Sequence, residues 1–334
     1  MAAKNATFKN VSNATGTIIA RAFMTLFWIL FLILVGIFLA LDLGVFHKKD
    51  SVIGIGEALR WTGIWIALSL LFDVALYFLY GNGTLHGPAG AVAGSEAALE
   101  YLTGYIIEKS LSLDNIFVMA AIFTYFKIPQ IYQHRVLFWG ILGAIFLRGA
   151  FIFAGTALLQ HFHWVIYVFG VLLLYSAFKM LFLDDDNEQD LSKNKVVILA
   201  KKFFPIATEI NGHAFFVKEN GKRFMTPLML ALIVIETSDV LFAMDSIPAI
   251  FGVTLDPFIV FTSNIMAILG LRSLYFALAA MLGKFDKLKY AIVFVLAFVG
   301  VKMLIAAWYE IPTPASLAVI VVSLTIGVLA SRKK

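Results

Sequence analysis

Apolar stretches of about 20 residues, each long enough to cross a bilayer as a helix, recur through most of this chain. That recurrence constrains the fold more than any other feature. Inside a bilayer each backbone N–H and C=O needs an internal partner, and an α-helix supplies all of them within one segment. Composition agrees: of 334 residues, 61% are hydrophobic, 15% aromatic and only 14% charged. Soluble domains average about 45–50% apolar and about 25% charged. Disorder, collagen and coiled coil are excluded on the same grounds. The expected fold class is therefore an all-α polytopic membrane protein embedded in a lipid bilayer. The formal net charge is +5. The charge reads as basic loops that hold one membrane face in place, not as a nucleic-acid surface. Cysteine is absent, so there is neither a disulfide framework nor a thiolate metal site.

Hydropathy predicts nine transmembrane helices, at about 22–46, 57–80, 99–125, 135–159, 163–183, 227–250, 256–280, 288–309 and 312–330. Residues 1–21 form a polar N-terminal tail without the layout of a cleavable signal. The connections alternate in charge. Those after spans one, three, five and seven carry Lys48 and Lys49, Lys127 and Arg135, Lys193 through Arg223, and Lys284, Lys287 and Lys289. The loops 81–98, 160–162, 251–255 and 310–311 carry no Lys or Arg. The rule that basic loops face inward then puts the N-terminus outside and the basic C-terminus in the cytoplasm. Lys4, Lys9 and Arg21 run against this scheme. The loop 184–226 is the largest soluble element. Its acidic run Asp184–Glu188 reads as a solvated loop start, 196–204 as a short interfacial helix, and 213–227 as a β-hairpin turning at Asn220-Gly221.

Spacing reveals an internal repeat. SLDNIFVM at 112–119 is matched by TSDVLFAM at 237–244, Leu147-Arg148 by Leu271-Arg272, and Lys179-Met180-Leu181 by Lys302-Met303-Leu304. Asp114 to Asp239, Arg148 to Arg272 and Lys179 to Lys302 are separated by 125, 124 and 123 residues. Each repeat has three spans, an odd number, so the two lie in opposite orientation, as in many secondary transporters. The first would occupy 99–183 and the second 227–309. Spans one and two (22–98) and span nine with the C-terminus (312–334) would be peripheral.

Charges inside the hydrocarbon need a partner or a role. Span three holds Glu108, Lys109 and Asp114, and span six holds Glu236, Asp239 and Asp245. Arg148, Arg272, Lys179, Lys302 and Lys109 read as charge-balancing groups. Asp42 and Asp73 read as structural. The five acids of spans three and six are candidate cation ligands, because clustered carboxylates in low dielectric retain protons unless a cation arrives. Asn115, Ser112, Ser238, Ser246, Met119 and Met244 are candidate supporting ligands. Glu236 and Asp239 share a helix face. Glu108 and Asp114, like Asp239 and Asp245, stand six residues apart, which a regular helix would aim in different directions. Either the helices unwind or the acids line successive positions along a path; Pro248, with Ser110 and its polar neighbours, favours broken helices with free carbonyls in spans three and six. Oxygen ligands favour hard ions such as Mg²⁺, Ca²⁺ or Mn²⁺, and no histidine falls mid-span.

EKSLSLDNIFV at 108–118 and ETSDVLFAMDSIPAIF at 236–251 resemble the two signature segments of the TerC/Alx family. DPFIVFTSNIMAILGLRSLYF at 256–276 and FFVKENGK at 215–222 are similar to that family as well. The family in turn resembles the LysE transporter superfamily, with two inverted three-helix units. The resemblance implies a manganese exporter in a bacterial inner membrane, with Glu108, Asp114, Glu236, Asp239 and Asp245 carrying Mn²⁺ and protons as counter-ions. Family members are also tied to tellurite resistance and to supplying metal to exported enzymes. A non-transporting metal-binding protein and an exporter of cationic amino acids therefore remain alternatives. An intramembrane hydrolase built on Asp114 and Asp239 is disfavoured by the flanking sequence. The expectation is a transporter and not an enzyme.

Overall fold

The computed structural model describes residues 23–41, 54–86, 92–182, 197–199, 202, 205–207, 212–219, 222–279 and 287–331. The acidic run 184–188, Asp42 and the turn at Asn220-Gly221 lie outside the described residues. Ten helices and one hairpin follow in order. They are α1 (Phe23–Leu41), α2 (Ile55–Gly81), α3 (Gly94–Tyr125), α4 (Gln130–His161), α5 (Val165–Phe182), β1 (Phe216–Glu219), β2 (Lys222–Met225), α6 (Pro227–Phe251), α7 (Pro257–Leu269), α8 (Leu271–Ala279), α9 (Leu288–Ile305) and α10 (Thr313–Ser331). Among the described residues, seven helices are long and apolar enough to cross a membrane, and α7 with α8, bent by 40° at Gly270, makes an eighth candidate. The 32-residue α3 is not among them. It is about 48 Å long at 1.5 Å per residue, but it carries Glu96, Glu100, Glu108, Lys109 and Asp114 and is less apolar than those seven.

Local chemistry sets the element ends. Pro227 and Pro257 occupy first turns, where a missing N–H costs nothing. The Asp256 side chain caps α7 by accepting from the Phe258 and Ile259 N–H groups. At the end of α3, Lys127 takes a left-handed conformation (φ 51°), the Ile128 N–H donates to the Phe123 carbonyl, and Pro129 prevents continuation. The hairpin pairs Phe216 with Met225 and Val217 with Phe224. Of the expected helix at 196–204, residues 197–199 and 202 are described, and they are helical.

α3 runs through the middle, packing on α2, α6, α7, α8 and α10, while α4 packs on α6 and α7, and α5 on α9. In α7 every residue from Phe258 to Leu269 is buried, as expected of a helix that is apolar nearly all round. Close crossings use small residues. A Cβ at Gly170 of α5 would sit 3.0 Å from the Gly300 carbonyl oxygen of α9. Trp28 of α1 lies against Phe153, Phe258 and Phe261. α1, α2, α5 and α10 bury the smallest share of their residues, and side chains such as Leu71, Phe146, Phe178 and Val322 are more than half exposed. An apolar surface of this extent is a lipid-facing belt.

The structure corrects the expected position of the helix breaks. Both α3 and α6 are continuous through all five acids, and the break falls at Gly270, inside span seven. The hydroxyls of Ser110, Thr237 and Ser238 donate to the carbonyls four residues earlier in their own helices. Polar side chains satisfied in this way need no interruption of the ladder. Pro248 lies in the last turn of α6.

Candidate functional site: a buried arginine between two carboxylates

The unbroken α3 places Glu108 one turn before Ser112, so the Ser112 hydroxyl donates to Glu108 Oε1 at 3.2 Å. α4 contributes Arg148, fully buried at its middle. Its Nη1 donates to Glu108 Oε1 at 2.5 Å. Nε and Nη2 grip Asp239 of α6 side-on, at 3.0 Å to Oδ2 and 2.8 Å to Oδ1. Arg148 Nη1 also reaches Ser246 Oγ at 3.2 Å and Asn264 Oδ1 at 3.4 Å. Asn264, on α7, donates from Nδ2 to Glu108 Oε2 at 2.8 Å. Its amide must point this way, since the nitrogen faces a carboxylate and the oxygen a guanidinium. The site thus joins α3, α4, α6 and α7 at the core of the bundle.

Charged groups taken out of water are costly unless paired and hydrogen-bonded, and the planar guanidinium fork suits two carboxylates at once. One guanidinium between two carboxylates leaves excess negative charge. Glu236, one turn before Asp239, is half-buried beside this centre. The Glu236 carboxylate lies against the backbone of α4 at Gly143, where a Cβ would collide with it, and its Oε2 has no hydrogen-bond partner among the described residues. A further cation, Lys109, is an electrostatic neighbour of Glu108, and its Nζ donates to the Ala267 carbonyl at 3.0 Å. That carbonyl is one of the last of α7, which the break at Gly270 leaves without helical partners.

The remaining sequence candidates are distributed elsewhere. Asp114 lies half-buried on α3, six residues beyond Glu108. On a regular helix that is about 9 Å along the axis and about 240° around it, so the two leave α3 on different faces. Asp245 turns toward α5, where the Ser176 hydroxyl donates to its Oδ1 at 2.6 Å and Lys179 is an electrostatic neighbour. Lys302 donates to Ser316 Oγ at 3.0 Å, and Arg272 is buried in α8. Asn115 is buried, with Oδ1 unbonded among the described residues. Met119 packs in an apolar cluster, and Met244 is exposed at 40%. Among the described residues no three His, Cys, Asp or Glu side chains gather closely enough to hold a metal ion together. Sequence reasoning missed Asn264. The available signal was the Ser263-Asn264 pair inside an otherwise apolar helix, both fully buried.

Together these features define an integral multi-pass membrane protein with a buried charged centre. More particularly, the chain belongs to the integral membrane protein TerC family, whose model matches residues 93–334. An uncharacterized membrane protein of Myxococcus xanthus is 48% identical over 304 residues, 91% of each chain. The Alx protein of Escherichia coli (strain K12), provisionally named a membrane-bound redox modulator, is 44% identical over 296 residues, 88% of this chain and 90% of its own. An uncharacterized membrane protein of Rickettsia bellii is 40% identical over 304 residues, 91% of this chain and 96% of its own. No solved structure matches the chain.

Proposed function

We propose that this chain is a transporter that exports divalent manganese from the cytoplasm in exchange for protons, through carboxylates at the interface of two inverted three-helix repeats. The observation that carries the reading is Arg148 between Glu108 and Asp239. Two carboxylates from different helices, fully buried and held by an internal cation, are what a cation pathway needs when no cargo is bound. An arriving divalent ion competes with the guanidinium for the same oxygens. Displacing Arg148 frees α4 from α3 and α6, which couples binding to rearrangement. The packing of α3 on α7 and of α4 on α6 supports a reading as two paired repeats. Glu236, whose Oε2 lacks a partner, and Asp245 and Asp114 would serve as successive oxygen ligands along the path. Hard oxygens favour Mg²⁺, Ca²⁺ or Mn²⁺, and the family resemblance selects manganese. The basic loops support a cytoplasmic hairpin face, and the family resemblance supports a bacterial inner membrane. A relative's name invokes redox modulation, but this chain has no cysteine, so it has no thiol couple of its own.

One observation favours a second reading. A guanidinium already fits between Glu108 and Asp239, so the guanidinium or ammonium of a cationic amino acid would fit the same carboxylates. The test is flux into liposomes holding purified protein, a manganese-quenched dye and an imposed pH gradient. Wild type should admit Mn²⁺ in a gradient-dependent way, and Glu108→Gln and Asp239→Asn should abolish it. Flux persisting in both variants would sink the site. Inhibition by excess arginine, with arginine uptake, would favour the amino-acid reading. No flux but intact calorimetric metal binding would favour a non-transporting metal-binding protein.

A further inference from the structure

We propose that the seam between α2 and α3 is a hydrated proton path, with Asp73 as its proton-carrying carboxyl, separate from the carboxylates around Arg148. The inference rests on the proton-coupled reading above and names the group that would perform the coupling.

Two polar ladders face each other across this seam. Trp65, Ser69 and Asp73 stand four residues apart on α2, and Tyr101, Tyr105 and Lys109 stand four apart on α3. A four-residue step turns about 400°, so each ladder keeps to one side of its helix. The helices pack against each other and the ladders meet at Ser69 and Tyr101. Ser69 Oγ and Tyr101 OH are 2.8 Å apart. The Tyr101 and Tyr105 rings stack at 6.4 Å between centroids, with 11° between planes. Trp65 and Lys109 converge on Gly270, whose Cβ would lie 3.0 Å from Trp65 Cβ and 3.1 Å from Lys109 Nζ.

Three polar atoms on this seam are buried without a hydrogen-bond partner among the described residues: Asp73 Oδ1, Tyr105 OH and Trp65 Nε1. A single such atom is a local oddity. Three along one interface, interleaved with Ser69 and Tyr101 hydroxyls, are a row of donors and acceptors that water can bridge. Asp73 reads as structural from the sequence alone, but an intramembrane acid is by default a candidate functional group, and proton relays are among the roles such acids take. Tyr101 on α3 is the titratable group within electrostatic reach of Asp73. α1, which packs Phe31 on Phe72, carries no titratable side chain in 23–41. Among the described residues no countercharge faces Asp73, and a bound proton removes the cost of leaving it ionised. Asp73 sits about 12 Å along α2 from Gly81. At its other end the seam reaches Tyr105, three residues before Glu108 and on the same face of α3. A proton accepted on Asp73 can therefore pass by hydroxyls and water to within a turn of the carboxylates that Arg148 holds. Cargo and proton then occupy different carboxyls.

The test uses full-length protein in liposomes with a manganese-quenched dye in one population and a pH-sensitive dye in another. Wild type should move Mn²⁺ with opposing proton flow. Asp73→Asn should keep downhill Mn²⁺ flux and lose both the proton counterflow and the acceleration by a pH gradient. Asp73→Glu should restore both, and Tyr105→Phe should slow the proton component alone. Wild-type proton counterflow in Asp73→Asn, or loss of manganese and proton flux together, would overturn the relay. Should wild type move no manganese, the transporter reading fails and the seam is tested by infrared titration of the same protein. A protonated-carboxyl band that titrates with bulk pH and disappears in Asp73→Asn supports the seam. Its absence, or its indifference to pH, overturns it.

Discussion

At positions separated by 124 residues, α4 has Gly143 and α7 has Ala267, the same separation as Arg148 and Arg272. Each backbone position is met by a charged side chain from a neighbouring helix. At Gly143 it is the acid Glu236 of α6, and at Ala267 it is the base Lys109 of α3. The outcomes differ because the backbones differ. α4 is unbroken, so its N–H groups near Gly143 are committed to the helix and none is free to satisfy a carboxylate. Glu236 Oε2 accordingly has no hydrogen-bond partner among the described residues. α7 breaks three residues beyond Ala267, and the freed carbonyls there accept a cation readily. Lys109 is thus fixed as a structural cap, while Glu236 keeps an oxygen free for a proton or an ion. Two related segments are specialised in this way, one to hold the bend and the other to hold the chemistry.

The largest predicted effect comes from removing the charge that stands between the helices. Arg148→Met leaves Glu108 and Asp239 facing each other in the core. Breaking a buried pair in this way costs about 3–5 kcal/mol, read as lowered unfolding stability in detergent or nanodiscs. Adding Asp239→Asn should recover part of that loss, and the non-additivity of the cycle measures the pairing. A fully additive cycle would mean that Arg148 and Asp239 do not act as a unit.

A smaller effect is expected at Gly143. Its hydrogen faces the Glu236 carboxylate, and the methyl group of Gly143→Ala would land on it. Overpacking of this kind costs about 1–3 kcal/mol. Glu236→Ala in the same chain should relieve it, because the obstructing carboxylate is gone. If Gly143→Ala unfolds like wild type, Glu236 does not lie against α4, and the contrast with Ala267 fails.

Much of this arrangement was legible in the residues. Runs of apolar sequence marked the helices, because length and hydropathy alone decide which segments can cross a bilayer. The Lys218–Arg223 stretch marked the hairpin, since Asn-Gly between alternating residues suits a tight turn. The pairing of Glu108 with Asp239 was only half legible. Sequence spacing showed that both acids lie within spans, but not that Arg148 would reach both, because that depends on how α3, α4 and α6 cross. The break was placed in spans three and six on the strength of Pro248 and the serines. Those hydroxyls satisfy carbonyls one turn back, whereas Gly270, with Trp65 and Lys109 crowded against it, bends span seven. Asn264 escaped notice because a lone amide in an apolar helix carries no period. Only the fold shows it between a carboxylate and a guanidinium.

The smallest predicted effect is at Lys109, and it tests the structural half of the comparison. If Lys109 only caps the end of α7, the requirement is a donor at the right reach and not a charge. Lys109→Gln keeps N–H donors and should unfold nearly like wild type. Lys109→Met keeps length and apolar volume but leaves the Ala267 carbonyl without its partner. A hydrogen bond is worth about 0.5–1.5 kcal/mol net, so a loss near 1 kcal/mol is expected from Met and little from Gln. Equal losses from the two would show that the charge itself matters, through its proximity to Glu108. Lys109 would then join Arg148 in balancing the buried acids, and the division between a segment that holds the bend and one that holds the chemistry would no longer stand.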